Sequence, residues 1–173
     1  MKTKKPKLVI TVFGSGHMEE NFPEYQRAVE LGKLLAESGF IVCNGGYGGI
    51  MEASARGAKQ AGGKVIGITY HQTPREPNRW LDETKKEKSW RDRLFKLIEQ
   101  GDAFVVFDGG TGTLTELFTV WEMTNKQLVA KPIIVYGPLM ARLLRRLRRQ
   151  RLIIFNKSIK PVLSHPIRFQ SKL

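Results

Sequence analysis

The sequence predicts a single α/β domain built on a doubly wound, Rossmann-like parallel sheet with helices on both faces. Three observations carry this prediction. Short apolar, β-branched segments alternate with segments of helical periodicity through most of the chain. Three glycine loops, at 14–16, 45–49 and 109–112, each stand where a strand gives way to a helix. A chain of 173 residues, 41% of them apolar, suits one core, with no internal repeat and no linker to divide it. Residues 1–152 are assigned to this nucleotide-binding domain and residues 153–173 to a basic C-terminal tail.

Residues 7–13 are apolar and β-branched and end at Gly14, which reads as a buried first strand. Over residues 25–37, Ala28, Leu31, Leu34 and Leu35 recur at helical spacing, and Gly39 stops the helix. Residues 40–43 form a short second strand before Asn44-Gly45-Gly46, and a helix over 49–61 ends at Gly62-Gly63. Residues 65–69 make a third strand. Residues 70–88 are polar, hold Pro74 and Pro77, and show no period, so they read as a long loop. A loop of that length inside a compact domain is more often functional than not. Residues 90–100 set Leu94, Leu97 and Ile98 on one helical side, and residues 103–107 are a wholly apolar fourth strand. A helix runs from the loop at 108–113 to about residue 128, a fifth strand covers 132–136, and a last helix covers 138–151. Residues from 153 onward carry no clear pattern.

Right-handed crossovers place every strand-to-helix loop of such a sheet at its carboxyl edge, so the three glycine loops converge on one crevice.

Composition narrows the function classes. Cys43 is the only cysteine, so no intrachain disulfide is possible. The basic start leads into an apolar run too short for a signal peptide, and no run approaches the roughly 18 apolar residues of a membrane span. A cytoplasmic protein without a membrane role is expected. All 16 acidic residues lie within residues 1–122, so the net charge of +13 comes almost wholly from residues 123–173. In the last helix Leu139, Leu143 and Leu147 fall on one stripe, with Met140 and Leu144 beside them, which leaves the arginines at 142, 145, 146, 148, 149 and 151 as a solvated face. The other reading is contact with a polyanion. The stripe favours the first, and nucleic acid is expected to bind only weakly and with steep salt sensitivity.

Loops without Cβ atoms let backbone N–H groups approach a ligand, and the following helix N-terminus favours an anion. Gly109-Gly110-Thr111-Gly112-Thr113 adds two hydroxyls to those donors. Each loop alone is equally a tight turn needing positive φ; three at one edge point to phosphate. The loops fit neither a Walker loop, lacking Lys-Ser/Thr, nor GxGxxG after the first strand. Glu116, just past this loop, reads either as a first-turn acid favoured by the helix dipole or as a carboxylate facing the ligand. Arg93, taken alone, reads as a solvated charge. His17, His71 and His165 show no metal-ligand spacing, and neither a metal nor a cofactor is called for.

Taken together, these residues resemble the lonely-guy family of cytokinin-activating enzymes, often mislabelled lysine decarboxylases. Residues 108–116, DGGTGTLTE, match that family's PGGxGTxxE signature at each fixed position except the first, where Asp108 stands for proline. Arg93 lies nine residues before Asp102 in Gly101-Asp102-Ala103-Phe104, as an arginine precedes the family's S-D-A-F stretch. Gly45-Gly46-Tyr47-Gly48-Gly49-Ile50-Met51 is similar to the second glycine loop. Trp90-Arg91-Asp92-Arg93 departs from the enzymes' Met-His-Glu-Arg, and Gly14-Ser15-Gly16-His17 looks closer to a neighbouring branch that includes a molybdenum-cofactor carrier.

The resemblance implies a phosphoribohydrolase that cleaves the N-glycosidic bond of an AMP-like nucleoside 5′-monophosphate, releasing base and ribose 5-phosphate. The neighbouring branch implies instead a non-hydrolysing carrier of a nucleotide or of molybdenum cofactor. In the first case Glu116 and Arg93 are the implied catalytic residues. Gly109, Gly110, Thr111, Gly112 and Thr113 would hold the phosphate, and Gly14, Ser15, Gly45 and Gly46 would line the rest. Family members are at least dimers, so a homodimer or larger assembly is expected.

Overall fold

The computed structural model describes residues 7–149 and 159–162. They form a seven-stranded, wholly parallel sheet and five helices, the Rossmann-like α/β fold the sequence predicts. In chain order the elements are β1 (Val9–Phe13), α1 (Pro23–Glu37), β2 (Ile41–Asn44), α2 (Ile50–Gln60), β3 (Val65–Tyr70) and β4 (Glu83–Glu87). Then come α3 (Trp90–Gln100), β5 (Ala103–Val106), α4 (Thr111–Asn125), β6 (Ile133–Tyr136), α5 (Pro138–Arg149) and β7 (Ile159–Val162). Across the sheet the strands stand in the order β4-β3-β2-β1-β5-β6-β7.

That order reverses direction at β1. The chain steps outward from β1 through β2 and β3 to β4, then α3 carries it back to β5 on the other side of β1. Helices leave the sheet toward opposite faces on the two sides of such a switch point, which opens a crevice between the loops after β1 and β5. The packing shows the two faces. Tyr25, Ala28, Leu31 and Leu35 of α1 join Ile50, Ala53 and Ala58 of α2 on one face. Leu94, Leu97 and Ile98 of α3, Leu117, Val120 and Trp121 of α4, and Met140 and Leu144 of α5 cover the other. The central strands β1, β2, β3, β5 and β6 are largely buried on both sides, as expected within a parallel sheet.

Two regions differ from the sequence reading. The stretch 70–88, read as a loop throughout, contains β4, paired in parallel register with β3 from Ile66 opposite Glu83 to Tyr70 opposite Glu87. Glu-Thr-Lys-Lys-Glu has no apolar alternation because this strand is the sheet's edge, where lysines guard the open backbone. Beyond residue 152, where no pattern was visible, β7 adds to β6 with Ile159 opposite Ile133. The remainder of the tail, with Arg151 and His165, lies outside the described residues.

Candidate active site at the switch point

The loops at the carboxyl edge enclose a crevice of about 370 Å³. Gly14, Ser15, Gly16 and His17 after β1, Gly45 and Tyr47 after β2, Tyr70 at the end of β3 and Thr73 and Arg75 beyond it form one wall. Gly110, Thr111, Gly112, Thr113 and Glu116 at the start of α4 form the other, with Arg93 and Trp90 of α3 between.

The start of α4 is an uncompensated helix N-terminus. Its N-cap is Gly110, no side chain caps it, and its first turn holds no acid. The backbone N–H groups there are therefore free to meet an anion, with the helix dipole behind them. The glycines sharpen this. Gly49 has a φ of 66° and a Cβ there would strike the Ser15 carbonyl, so folding alone accounts for it. Gly110 and Gly112 have ordinary φ, and a Cβ on either would meet nothing within 4 Å. Neither the turn nor the packing requires glycine at these two positions. Their backbone is open to close approach from the crevice.

Below this turn sits a buried ion pair. Arg93 is only 7% exposed, which rules out the solvated-charge reading. Its Nε donates to the Ile68 carbonyl at 2.8 Å and its Nη2 to the Gly45 carbonyl at 3.2 Å, so it ties the ends of β3 and β2 together. The guanidinium also stands 5.5 Å from the centroid of the Tyr47 ring and 6.0 Å from that of Tyr70. Its Nη1 lies 3.8 Å from Glu116 Oε1. Glu116 falls on the second turn of α4, past the first turn where the dipole would suffice to explain an acid. Burial pushes its carboxyl up to about 7, against the pull of Arg93 in the other direction. A carboxyl titrating near neutrality is suited to take or give a proton.

The remaining residues of the signature have other work. Gly46, with a φ of 80°, and Gly109 lie under the crevice rather than on its wall; a Cβ on Gly109 would collide with Thr113. Asp108, where the family signature has proline, accepts from the N–H groups of Leu139 at 3.0 Å and Met140 at 2.9 Å. It caps α5 and takes no part in the crevice. Asp102 likewise accepts from Val9 N at 2.8 Å, joining the start of β5 to β1. Sequence reasoning did not single out Tyr47, Met51, Tyr70, Thr73, Arg75 or Trp90, which line the crevice. For Thr73 and Arg75 the signal was the length of the segment after β3, while Tyr47 and Met51 stood in the second glycine loop and Trp90 in the stretch that departs from the family pattern. Among the described residues no group of three His, Cys, Asp or Glu is placed to hold a metal ion, and no helix is long and apolar enough to cross a membrane.

A model of the SLOG cluster4 family matches residues 7–162. An uncharacterized protein of Archaeoglobus fulgidus is 34% identical over 129 residues, which cover 73% of this chain and 82% of that protein. A probable cytokinin riboside 5′-monophosphate phosphoribohydrolase of Oryza sativa subsp. japonica is 34% identical over 109 residues, 61% of this chain. The chain spans 44% of that plant protein's length. Among solved structures, the molybdenum cofactor binding protein of the phototrophic bacterium Rippkaea orientalis has a TM-score of 0.72, covering 93% of this chain and 92% of that one. At 24% identity this is a likeness of fold.

Proposed function

This chain belongs to the SLOG cluster4 family, and on that premise we propose that it hydrolyses the N-glycosidic bond of a nucleoside 5′-monophosphate, giving free base and ribose 5-phosphate. One observation carries the reading: the Arg93–Glu116 pair, 3.8 Å apart, stands in the same crevice as the uncapped start of α4. The 5′-phosphate sits on the N–H groups and hydroxyls of residues 110–113. That anchor brings the sugar over Glu116.

Departure of the base leaves positive charge on the sugar ring, which a nearby carboxylate stabilises. Glu116 in its ionised form does this, and takes a proton from the water that adds to C1′. The bonding pair of the broken C–N bond leaves with the base, which takes up a proton from solvent as Glu116 returns its own to solvent. Arg93 holds Glu116 in place and favours its ionised form. Trp90, 47% exposed at the mouth, offers a flat face to the base.

A second reading, a non-hydrolysing carrier of a nucleotide or of molybdenum cofactor, is favoured by Trp90-Arg91, which put a different surface on α3 from the Met-His of the enzymes. Incubation with AMP separates the two. Adenine appearing in proportion to protein supports hydrolysis, whereas AMP bound and recovered intact sinks it. The same reading carries a dimer or larger assembly, in keeping with exposed Phe95, Phe118 and Leu128 around α3 and α4. A monomer mass by light scattering at micromolar concentration would count against that.

A further inference from the structure

Two guanidinium groups line the crevice, and only one of them is accounted for. Arg93 is buried and engaged by two carbonyls and Glu116. Arg75 is exposed, and among the described residues no carboxylate lies within ion-pair distance of it. An arginine free in solvent would extend outward or pair with a local acid, and Glu76 is its chain neighbour. Arg75 does neither. A Cβ on Gly16 would lie 3.6 Å from its Nη1, and its Nη2 stands 3.4 Å from His17 Nε2. A guanidinium only donates, so any hydrogen bond here has His17 Nε2 as the acceptor.

The position is built rather than incidental. Strands β3 and β1 are two strand spacings apart, about 10 Å, so the segment after β3 must cross the end of β2 to bring Arg75 to the loop after β1. It is pinned there. Asn78 N donates to the Gly46 carbonyl at 2.8 Å and Asn78 Nδ2 to the Tyr47 carbonyl at 2.9 Å. Closer to the arginine, Arg75 N donates to Thr73 Oγ1 at 3.3 Å. The loop after β1 in turn touches the loop before α4, through Ser15 N on the Asp108 carbonyl at 3.2 Å. Arg75 thus lines the same crevice as the phosphate-ready start of α4, on the wall that faces it. Of the charged groups on the walls, Glu116 is matched by Arg93, which leaves Arg75 as unbalanced positive charge.

We propose that Arg75 is the specificity-determining residue that reads a phosphomonoester on the ligand, closing over the phosphate from the side opposite the start of α4, with His17 as its partner while the crevice is empty. This rests on the reading that the crevice holds a nucleoside monophosphate, and it holds equally for hydrolysis or carriage. The guanidinium fork presents two parallel donors to phosphate oxygens, which a neutral hydroxymethyl group cannot repay. The phosphate-free nucleoside therefore gains nothing from it.

Calorimetric titration of AMP and adenosine into the whole protein and into Arg75→Gln and Arg75→Lys tests this. For wild type, AMP binds more tightly than adenosine. In Arg75→Gln the affinity for AMP falls about ten-fold or more, the size of a lost charge-assisted hydrogen bond, while that for adenosine is unchanged. Arg75→Lys, which keeps the charge, recovers part of the loss. An unchanged affinity of Arg75→Gln for AMP overturns the role of Arg75 and leaves the nucleotide reading standing, as does an equal loss for both ligands. Equal binding of AMP and adenosine by wild type overturns both.

Discussion

Helices α3 and α5 each present arginine, and the contrast between them separates a site from a surface. Arg93 of α3 is buried, with its guanidinium held by fixed acceptors and a carboxyl pushed up to about 7 beside it. Arg142, Arg145, Arg146 and Arg149 of α5 are exposed in a row at i, i+3, i+4 and i+7. Removing an arginine from water is costly unless every contact is replaced, so a lone buried one marks a place the fold has been shaped around. The four arginines of α5 concentrate more charge, yet water and salt screen that charge at little cost to anything else.

The largest effect should come from the buried pair. Glu116→Gln keeps the shape and removes the charge, and should lower AMP hydrolysis by about two orders of magnitude or more while nucleotide binding persists. Unchanged turnover would put Glu116 on the same footing as the exposed charges. The same substitution tests the cost of that charge. Because its carboxyl titrates near 7 in the fold and near 4.5 when exposed, the native state holds the extra proton between those values. Wild-type stability should therefore fall as pH rises from about 4.5 to 7, by on the order of 3 kcal/mol from this group at most. Glu116→Gln should lose that slope and gain stability relative to wild type at pH 8, read from denaturant midpoints at pH 5 and pH 8. Parallel pH profiles would mean the carboxyl is not held out of water.

Gly110→Val sharpens the comparison at the opposite wall. No atom lies within 4 Å of a Cβ there, so the free protein should keep its melting temperature. Affinity for AMP should nevertheless drop about ten-fold, and for adenosine much less, since the branched side chain stands where phosphate approaches the backbone. A matched loss for the two ligands would deny the loop its role. The smallest effect belongs to α5. Changing Arg145, Arg146, Arg148 and Arg149 together to Gln should leave AMP turnover within error. Any RNA binding by wild type should disappear between about 50 and 200 mM salt. Submicromolar RNA affinity at 150 mM salt would turn the solvated face into a functional one.

By itself the sequence determined the alternation of strands and helices and the convergence of the glycine loops on one edge. These follow from period and from residue type, which are local properties. It also presented Arg93 and Glu116 as candidates, through a signature and a spacing. In α5 it set the stripe at Leu139, Leu143 and Leu147, whereas the structure buries Met140, Ala141 and Leu144 and leaves Leu139 59% exposed. Other facts lay beyond any local pattern. β4 is a charged edge strand that shows no alternation, because it has only one neighbour to satisfy. Asp108 belongs to the cap of α5, thirty-odd residues downstream, and Asp102 to the start of β1. Arg75 reaches the crevice only because the segment after β3 is pinned across the end of β2. Burial, capping and reach between segments distant in the chain exist only once the sheet has assembled, so the tertiary structure alone decided which charges face the crevice and which hold the fold.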